Sequence, residues 1–280
     1  MEFTKGHGTG NDFVLLPDPD GRLDLTPALV AGVCDRRFGV GGDGVLRVVR
    51  SAKHPEAAGQ AAEAEWFLDY WNADGSGAEL CGNGLRVFGR YLLDTGLAAP
   101  GPELAVATRA GVVRVRAAGD TLSAGLARPA LVGSAEVTLG GLHLPGTIVD
   151  CGNPHLVCPV AGLDLAGLDM TRAPGVNPAV FPDGANVEFV ASGEPVDGAD
   201  VSMRMRVYER GSGETLSCGT GACAVAAVAL ADAGLDRGVA AVAVPGGRLT
   251  LTLDDDTCWL AGPAVLVATG DVDPAALAIR

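Results

Sequence analysis

Two stretches of this chain are near copies of one another: Gly75-Ser-Gly-Ala-Glu-Leu-Cys81-Gly-Asn-Gly84 and Ser212-Gly-Glu-Thr-Leu-Ser-Cys218-Gly-Thr-Gly221. Each runs into an apolar, helix-like segment, Leu85 to Leu93 and Ala222 to Leu230, and each segment stops at a Gly followed by Leu, at Gly96 and Gly234. The two cysteines are 137 residues apart and the two glycines 138. Downstream, Gly111 before Val112-Val-Arg-Val-Arg116 matches Gly247 before Leu249-Thr-Leu-Thr-Leu253, 136 residues on. Upstream, Gly10-Asn11 leading into Phe13-Val-Leu-Leu16 matches Gly152-Asn153 leading into Leu156-Val157, 142 residues on. Four landmarks in one order at nearly constant spacing imply a duplicated domain, and an internal repeat constrains architecture more than any single element does.

Each half reads as short alternating strands, one apolar helix opened by a Cys-Gly-x-Gly turn, and a further strand pair. The second helix, Ala222 to Ala231, has almost no polar face, as a helix wrapped by curved sheet would. The expected fold is therefore α+β. It has two pseudo-symmetric duplicated domains, each a curved, mostly antiparallel sheet around a central apolar helix, with an active site in the cleft between them. The expected division is 1–125 plus 264–280 for the half carrying Cys81, and 126–263 for the half carrying Cys218. Ser51 to Glu65, rich in Ala, Glu, Gly and Pro, reads as an exposed insertion between strands, and Arg172 to Gly184 as a loop.

A net charge of -14 offers no basic surface, so neither nucleic acid nor an anionic membrane is expected as a partner. The start, Met1-Glu2-Phe3-Thr4-Lys5, lacks the basic-then-apolar pattern of a signal peptide, and the longest near-apolar run is far short of the ~20 residues that span a bilayer. A cytoplasmic location is expected. Seven cysteines, an odd count in a reducing compartment, do not suggest a disulfide framework. No CxxC, HxxxH or HExxH spacing occurs, and neither Gly39-Val-Gly-Gly-Asp-Gly44 nor Gly8-Thr-Gly-Asn11 has the Lys or the βαβ context of a phosphate loop. No metal and no nucleotide cofactor are expected.

A Cys where a Gly-rich turn opens a helix lies near backbone N–H groups and the positive end of the helix dipole, which favours the thiolate. A downward shift of a unit or two from the ordinary thiol pKa of about 8.5 would ionise much of it at neutral pH. Two such thiols on either side of one carbon, one ionised and one not, can remove a proton from one face and deliver one to the other. The two helix N-termini would stabilise charge building on a substrate carboxylate. Cys34, Cys151, Cys158, Cys223 and Cys258 lack the turn context and read as buried apolar residues.

Along nearly its whole length the chain resembles the diaminopimelate epimerase family. The resemblance is carried by Lys5-Gly-His-Gly-Thr-Gly-Asn-Asp-Phe13, Asn72-Ala-Asp-Gly-Ser76, Cys81-Gly-Asn-Gly-Leu-Arg86, Gly152-Asn-Pro-His155, the block from Glu209 to Gly221 and Pro245-Gly-Gly247. It implies interconversion of L,L- and meso-diaminopimelate without pyridoxal phosphate or other cofactor, in lysine synthesis and peptidoglycan precursor supply, by a homodimer. It also implies that Cys81 and Cys218 are the catalytic thiols and that Asn11, Asn72, Asn153, Asn186, Glu209 and Arg210 hold the substrate. Gly82-Asn83 and Gly219-Thr220 supply backbone donors, and His155 supports a thiol or orients a loop. Arg suits a carboxylate, and Glu and Asn suit ammonium groups. One departure stands out: where some relatives place Gln, this chain has Asp43-Gly44, so Asp43 is expected to fix the loop, and the repeat sets Gly44 opposite Asn186. A proline or hydroxyproline racemase, a thiol-switch protein and a noncatalytic amino-acid-binding protein are the rival readings.

Overall fold

The computed structural model describes residues 1–277. The chain forms two compact units, Met1–Ala124 with Gly262–Arg280, and Gly125–Ala261. In chain order the elements are β1 (Glu2–Gly8), β2 (Asn11–Pro17), α1 (Pro27–Cys34), β3 (Gly44–Arg50), β4 (Trp66–Asn72), α2 (Gly82–Asp94), β5 (Leu104–Thr108), β6 (Gly111–Ala118) and β7 (Thr121–Ala127). There follow β8 (Ala130–Leu139), β9 (Leu142–Asp150), β10 (Pro154–Pro159), β11 (Gly175–Val176), β12 (Asn186–Ser192), β13 (Val201–Glu209) and β14 (Gly213–Thr215). The series closes with α3 (Gly219–Asp232), β15 (Gly238–Val244), β16 (Gly247–Leu253), β17 (Thr257–Pro263) and β18 (Val265–Asp271), the last in the first unit.

The duplication is visible strand by strand. In the first unit β1–β2 is antiparallel, β2–β3 parallel, β3–β4 antiparallel, β4–β5 parallel and β5–β6 antiparallel. The second unit repeats that order of senses through β9–β10, β10–β12, β12–β13, β13–β15 and β15–β16. The register repeats too: Phe13 lies opposite Gly44 in the first unit and His155 opposite Asn186 in the second. The repeat read from sequence is thus a repeat of pairings, with the α+β content it implied.

Each unit is built around its longest helix. In α2 every residue from Gly82 to Gly89 is buried, with Tyr91 and Leu92, and only its last turn, at Arg90, Leu93 and Asp94, reaches solvent. In α3 every residue from Ala222 to Leu230 is buried, which is why no polar face was visible; strands β10, β12, β13, β15 and β16 all touch it. Its small Ala and Val side chains let strands approach on several sides, and each fully buried Val or Leu stabilises by about 1.5–3 kcal/mol. Both helices give way to glycines with positive φ, Gly96 at 71° and Gly234 at 75°.

The segment from Ser51 to Glu65 is the expected insertion between strands, β3 and β4, and most of its residues are exposed. It contains two short 3₁₀ turns, and its Ala57 and Ala64 are buried against Val49, Phe67 and Ala107. The Arg172–Gly184 segment is mostly loop, anchored by the two-residue β11 and by buried Phe181. Among the described residues no helix is long and apolar enough to cross a membrane, and no group of three or more His, Cys, Asp or Glu is placed to hold a metal ion.

Candidate active site

Both repeat cysteines are helix N-caps. Cys81 precedes α2 with extended backbone, and its Sγ accepts from the N–H of Gly84 at 3.4 Å. Cys218 does the same before α3, accepting from the N–H of Gly221 at 3.4 Å. An N-cap side chain takes up one of the N–H groups that helix geometry leaves over, and here sulfur does the work usually done by Ser or Asp. Gly82-Asn83 and Gly219-Thr220 form the first turns, whose N–H groups point out of the helix ends.

In the first unit, the polar residues around the turn are tied down as a set. Asn11, at the start of β2, accepts at Oδ1 from Asn83 Nδ2 (3.2 Å) and from Cys81 Sγ (3.7 Å), and donates from Nδ2 to Asp43 Oδ2 at 2.8 Å. Asp43 also accepts from the Asp12 N–H and from Arg36. Burial works against a charge on Asp12, yet hydrogen bonds and the charges of Arg36 and Lys5 hold its carboxyl well below the usual range. Asp43 therefore fixes both the loop and the orientation of the Asn11 amide. Asn72, at the end of β4, accepts from Tyr70 Oη and donates to Ser76 Oγ. Gly44 lies opposite Asn72, and a Cβ there would sit 2.5 Å from the Trp71 carbonyl oxygen and 2.8 Å from the Tyr70 ring. The position has no room for a side chain without moving the Trp71 carbonyl.

In the second unit, Asn153 precedes β10 and His155 lies within it. The ring is fully buried, with Nδ1 2.7 Å from Glu188 Oε1 and Nε2 3.0 Å from Asn153 Oδ1. Asn186 accepts at Oδ1 from the Arg210 N–H (3.0 Å) and donates from Nδ2 to the Pro154 carbonyl (3.5 Å), so it pins two strand ends together. Glu209 accepts from Thr215 Oγ1, and the Arg210 guanidinium donates to the Asp183 carbonyl. Thr220 Oγ1 lies 3.6 Å from Cys218 Sγ, and Cys151 Sγ donates to the Thr220 carbonyl at 3.5 Å.

Two expectations need correction here. The helix N-terminus was expected to lower both thiol pKa values, but the Cys218 thiol is pushed well above its ordinary value. Burial is the largest cause, followed by the carboxylates of Glu209 and Glu188; the Thr220 hydroxyl and Gly221 N–H pull the other way and are outweighed. Of the five remaining cysteines, Cys34, Cys158, Cys223 and Cys258 are buried as expected. Cys151 is only half-buried and touches the second thiol turn. Glu188 was not singled out from the sequence at all. The signal was present: in the repeat register Glu188 falls where the first half has Leu46, a charged residue at an inward-facing apolar place.

The chain is similar to proteins of one family along nearly its whole length. The sequence model of the diaminopimelate epimerase family matches residues 3–128 and 147–273. The chain is 54% identical to a diaminopimelate epimerase of Streptomyces coelicolor over 98% of this chain and 96% of that one. Among solved structures it is similar to a phenazine biosynthesis protein of the PhzF family from Bacillus anthracis (TM-score 0.71, 18% identity, 97% of this chain and 98% of that one). It is also similar to a probable proline racemase from Agrobacterium radiobacter K84 (TM-score 0.68, 15% identity, 100% of this chain and 96% of that one). At such identities the structures speak for the fold alone, since one fold hosts several chemistries. The near full-length sequence matches carry the assignment: the chain belongs to the diaminopimelate epimerase family.

Proposed function

We propose that the protein interconverts L,L- and meso-diaminopimelate without a cofactor, Cys81 and Cys218 exchanging protons with one Cα. The observation that carries the reading is the pair of thiols at repeat-related positions, each capping its own helix and each 3.4 Å from the N–H of the third helical residue. One thiolate takes the Cα proton, the electron pair delocalises into the substrate carboxylate, and the other thiol donates its proton to the opposite face. The protonation states of the two sulfurs are then exchanged, and the reverse reaction restores them. The first-turn N–H groups of Gly82-Asn83 and Gly219-Thr220 stabilise the carboxylate as charge builds on it, fixed in place before the reaction.

The remaining polar set suits a long zwitterion. Arg210 has an exposed guanidinium for the distal carboxylate, Glu209 and the amides of Asn72, Asn153 and Asn186 offer acceptors to ammonium groups, and Asn11 is oriented beside Cys81 by Asp43. His155 tunes a thiol or orients the loop that carries Asn153. The halves 1–125 with 264–280, and 126–263, supply one thiol each. The same reading places the protein in the cytoplasm as a homodimer, in lysine and peptidoglycan precursor synthesis. The test is deuterium incorporation at Cα of L,L-diaminopimelate in D₂O, followed by mass spectrometry. Wild type incorporates label and forms meso product, and Cys81→Ser and Cys218→Ser each lose about 10²–10⁴ in rate. Full epimerisation by either variant under reducing conditions contradicts the two-thiol reading.

A further inference from the structure

The two thiol turns are alike in their backbone and unlike behind it. In the first unit the residue behind Gly84 is Leu46, whose Cδ2 would lie 3.3 Å from a Cβ at that glycine. In the second unit the matching place behind Gly221 is taken by Glu188, whose Oε1 would lie 2.6 Å from a Cβ there. The same point is 3.3 Å from Cys218 Sγ, so Oε1 and Sγ are less than about 6 Å apart. In the register Phe13, opposite Gly44, takes the place that His155, opposite Asn186, has in the second unit. An apolar pair has become a buried polar pair, in contact through Nδ1 and Oε1 at 2.7 Å with both side chains fully buried.

This pair is not a closed structural ion pair. Among the described residues Glu188 Oε2 is buried with no hydrogen-bond partner, an expensive state for a carboxylate oxygen. Both ring nitrogens face oxygen atoms, Nδ1 Glu188 Oε1 and Nε2 Asn153 Oδ1, so the His155 ring is held at both ends. The titratable groups around Cys218 are Glu209 on β13, Glu188 on β12, His155 on β10, Cys151 ahead of it, Cys223 on α3 and Cys258 on β17. Of the two carboxylates, Glu209 has its own donor in Thr215, whereas Glu188 sits directly behind the first turn of the helix that Cys218 caps.

We propose that Glu188 is a positioning residue that makes the two thiols unequal: it locks the His155 ring and, through its charge, holds Cys218 in the protonated, acid form before substrate arrives. The inference rests on the two-thiol reading above. Its consequence is a division of labour written into the second half alone, since Leu46 can exert no such charge on the first turn. The direction of the Cys218 shift, with Glu188 among its causes, is consistent with that placement.

The experiment is the pH dependence of iodoacetamide alkylation at Cys218 in the full-length, substrate-free protein, followed by peptide mass spectrometry. In Glu188→Gln the midpoint falls by about one to two pH units, the size of one unit charge removed at about 6 Å in an effective dielectric near 20. Glu188→Asp, which restores the charge, returns the midpoint toward wild type. Glu188→Leu, which copies Leu46, is the second variant should Gln disturb folding, and moves the midpoint the same way. A Cys218 midpoint in Glu188→Gln within about 0.3 pH units of wild type overturns the proposal, because a merely structural Glu188 would alter stability and not the titration. The assay uses no substrate. Failure of wild type to turn over L,L-diaminopimelate, measured alongside, would therefore count against the functional reading and leave the alkylation result standing on its own.

Discussion

The turn at Cys81 and the turn at Cys218 share one backbone device and differ in what backs it. Each sulfur caps a helix and accepts from the third helical N–H at the same 3.4 Å, and each glycine after it has its closest side-chain neighbour on the strand two residues past the repeat-related pair Gly44 and Asn186. Behind the first glycine is Leu46; behind the second is Glu188 with His155. Duplication preserved what positions sulfur and let diverge what sets its charge. A helix N-terminus is therefore a poor predictor of thiol acidity by itself: desolvation and two carboxylates outweigh it at Cys218.

The comparison can be broken most sharply at the glycines. Gly221→Ala drives a methyl to 2.6 Å from a buried carboxylate oxygen, whereas Gly84→Ala meets Leu46 at 3.3 Å, a flexible apolar tip that can move by tenths of an ångström. We expect a loss of about 2–3 kcal/mol for Gly221→Ala against less than about 1 for Gly84→Ala, measured by urea unfolding. Equal losses would mean that the two turns are backed alike. Gly44 and Asn186 are the next pair. Gly44→Ala puts a Cβ 2.5 Å from the Trp71 carbonyl and should cost about 1–3 kcal/mol, while Asn186→Ala leaves the Arg210 N–H without its acceptor and should cost about 1–2. If Gly44→Ala is neutral, that strand end is looser than described.

The smallest effect concerns alkaline pH. Burial raises the thiols of Cys34 in the first unit and Cys158 in the second from the ordinary thiol range to about 12. A raised folded-state pKa means stability that is complete below the unfolded value and lost as pH rises toward the folded one. Thermal melts should therefore be insensitive to these groups below pH 8. Between about pH 9 and 11 they should fall, with a shallower slope in Cys158→Ala than in wild type. A slope unchanged by that substitution would remove Cys158 from the account.

The duplication, the two helices and the capping thiols were legible in the sequence because the repeat preserved Cys-Gly-x-Gly and the glycines that end each helix. Asp43 as the anchor of Asn11 was legible only as a loop-fixing residue, since its partner lies 32 positions away. Glu188 was readable only after aligning its strand with that of Leu46, two residues past a glycine in one half and an asparagine in the other. The raised Cys218 pKa was not legible at all, because it sums burial by several strands with charges on β12 and β13, and no local pattern encodes that sum.

The central claim is that two different sulfurs serve the two faces of one carbon, and the most direct measurement is isotope transfer in a single direction. L,L-diaminopimelate deuterated at Cα is converted in H₂O to low extent, and product and remaining substrate are analysed by mass spectrometry. Two thiols predict that the meso product carries a solvent-derived proton at the inverted centre while remaining substrate keeps its deuterium. Deuterium carried over into the product at that centre would mean that one base removes and returns the same proton, and would contradict the account.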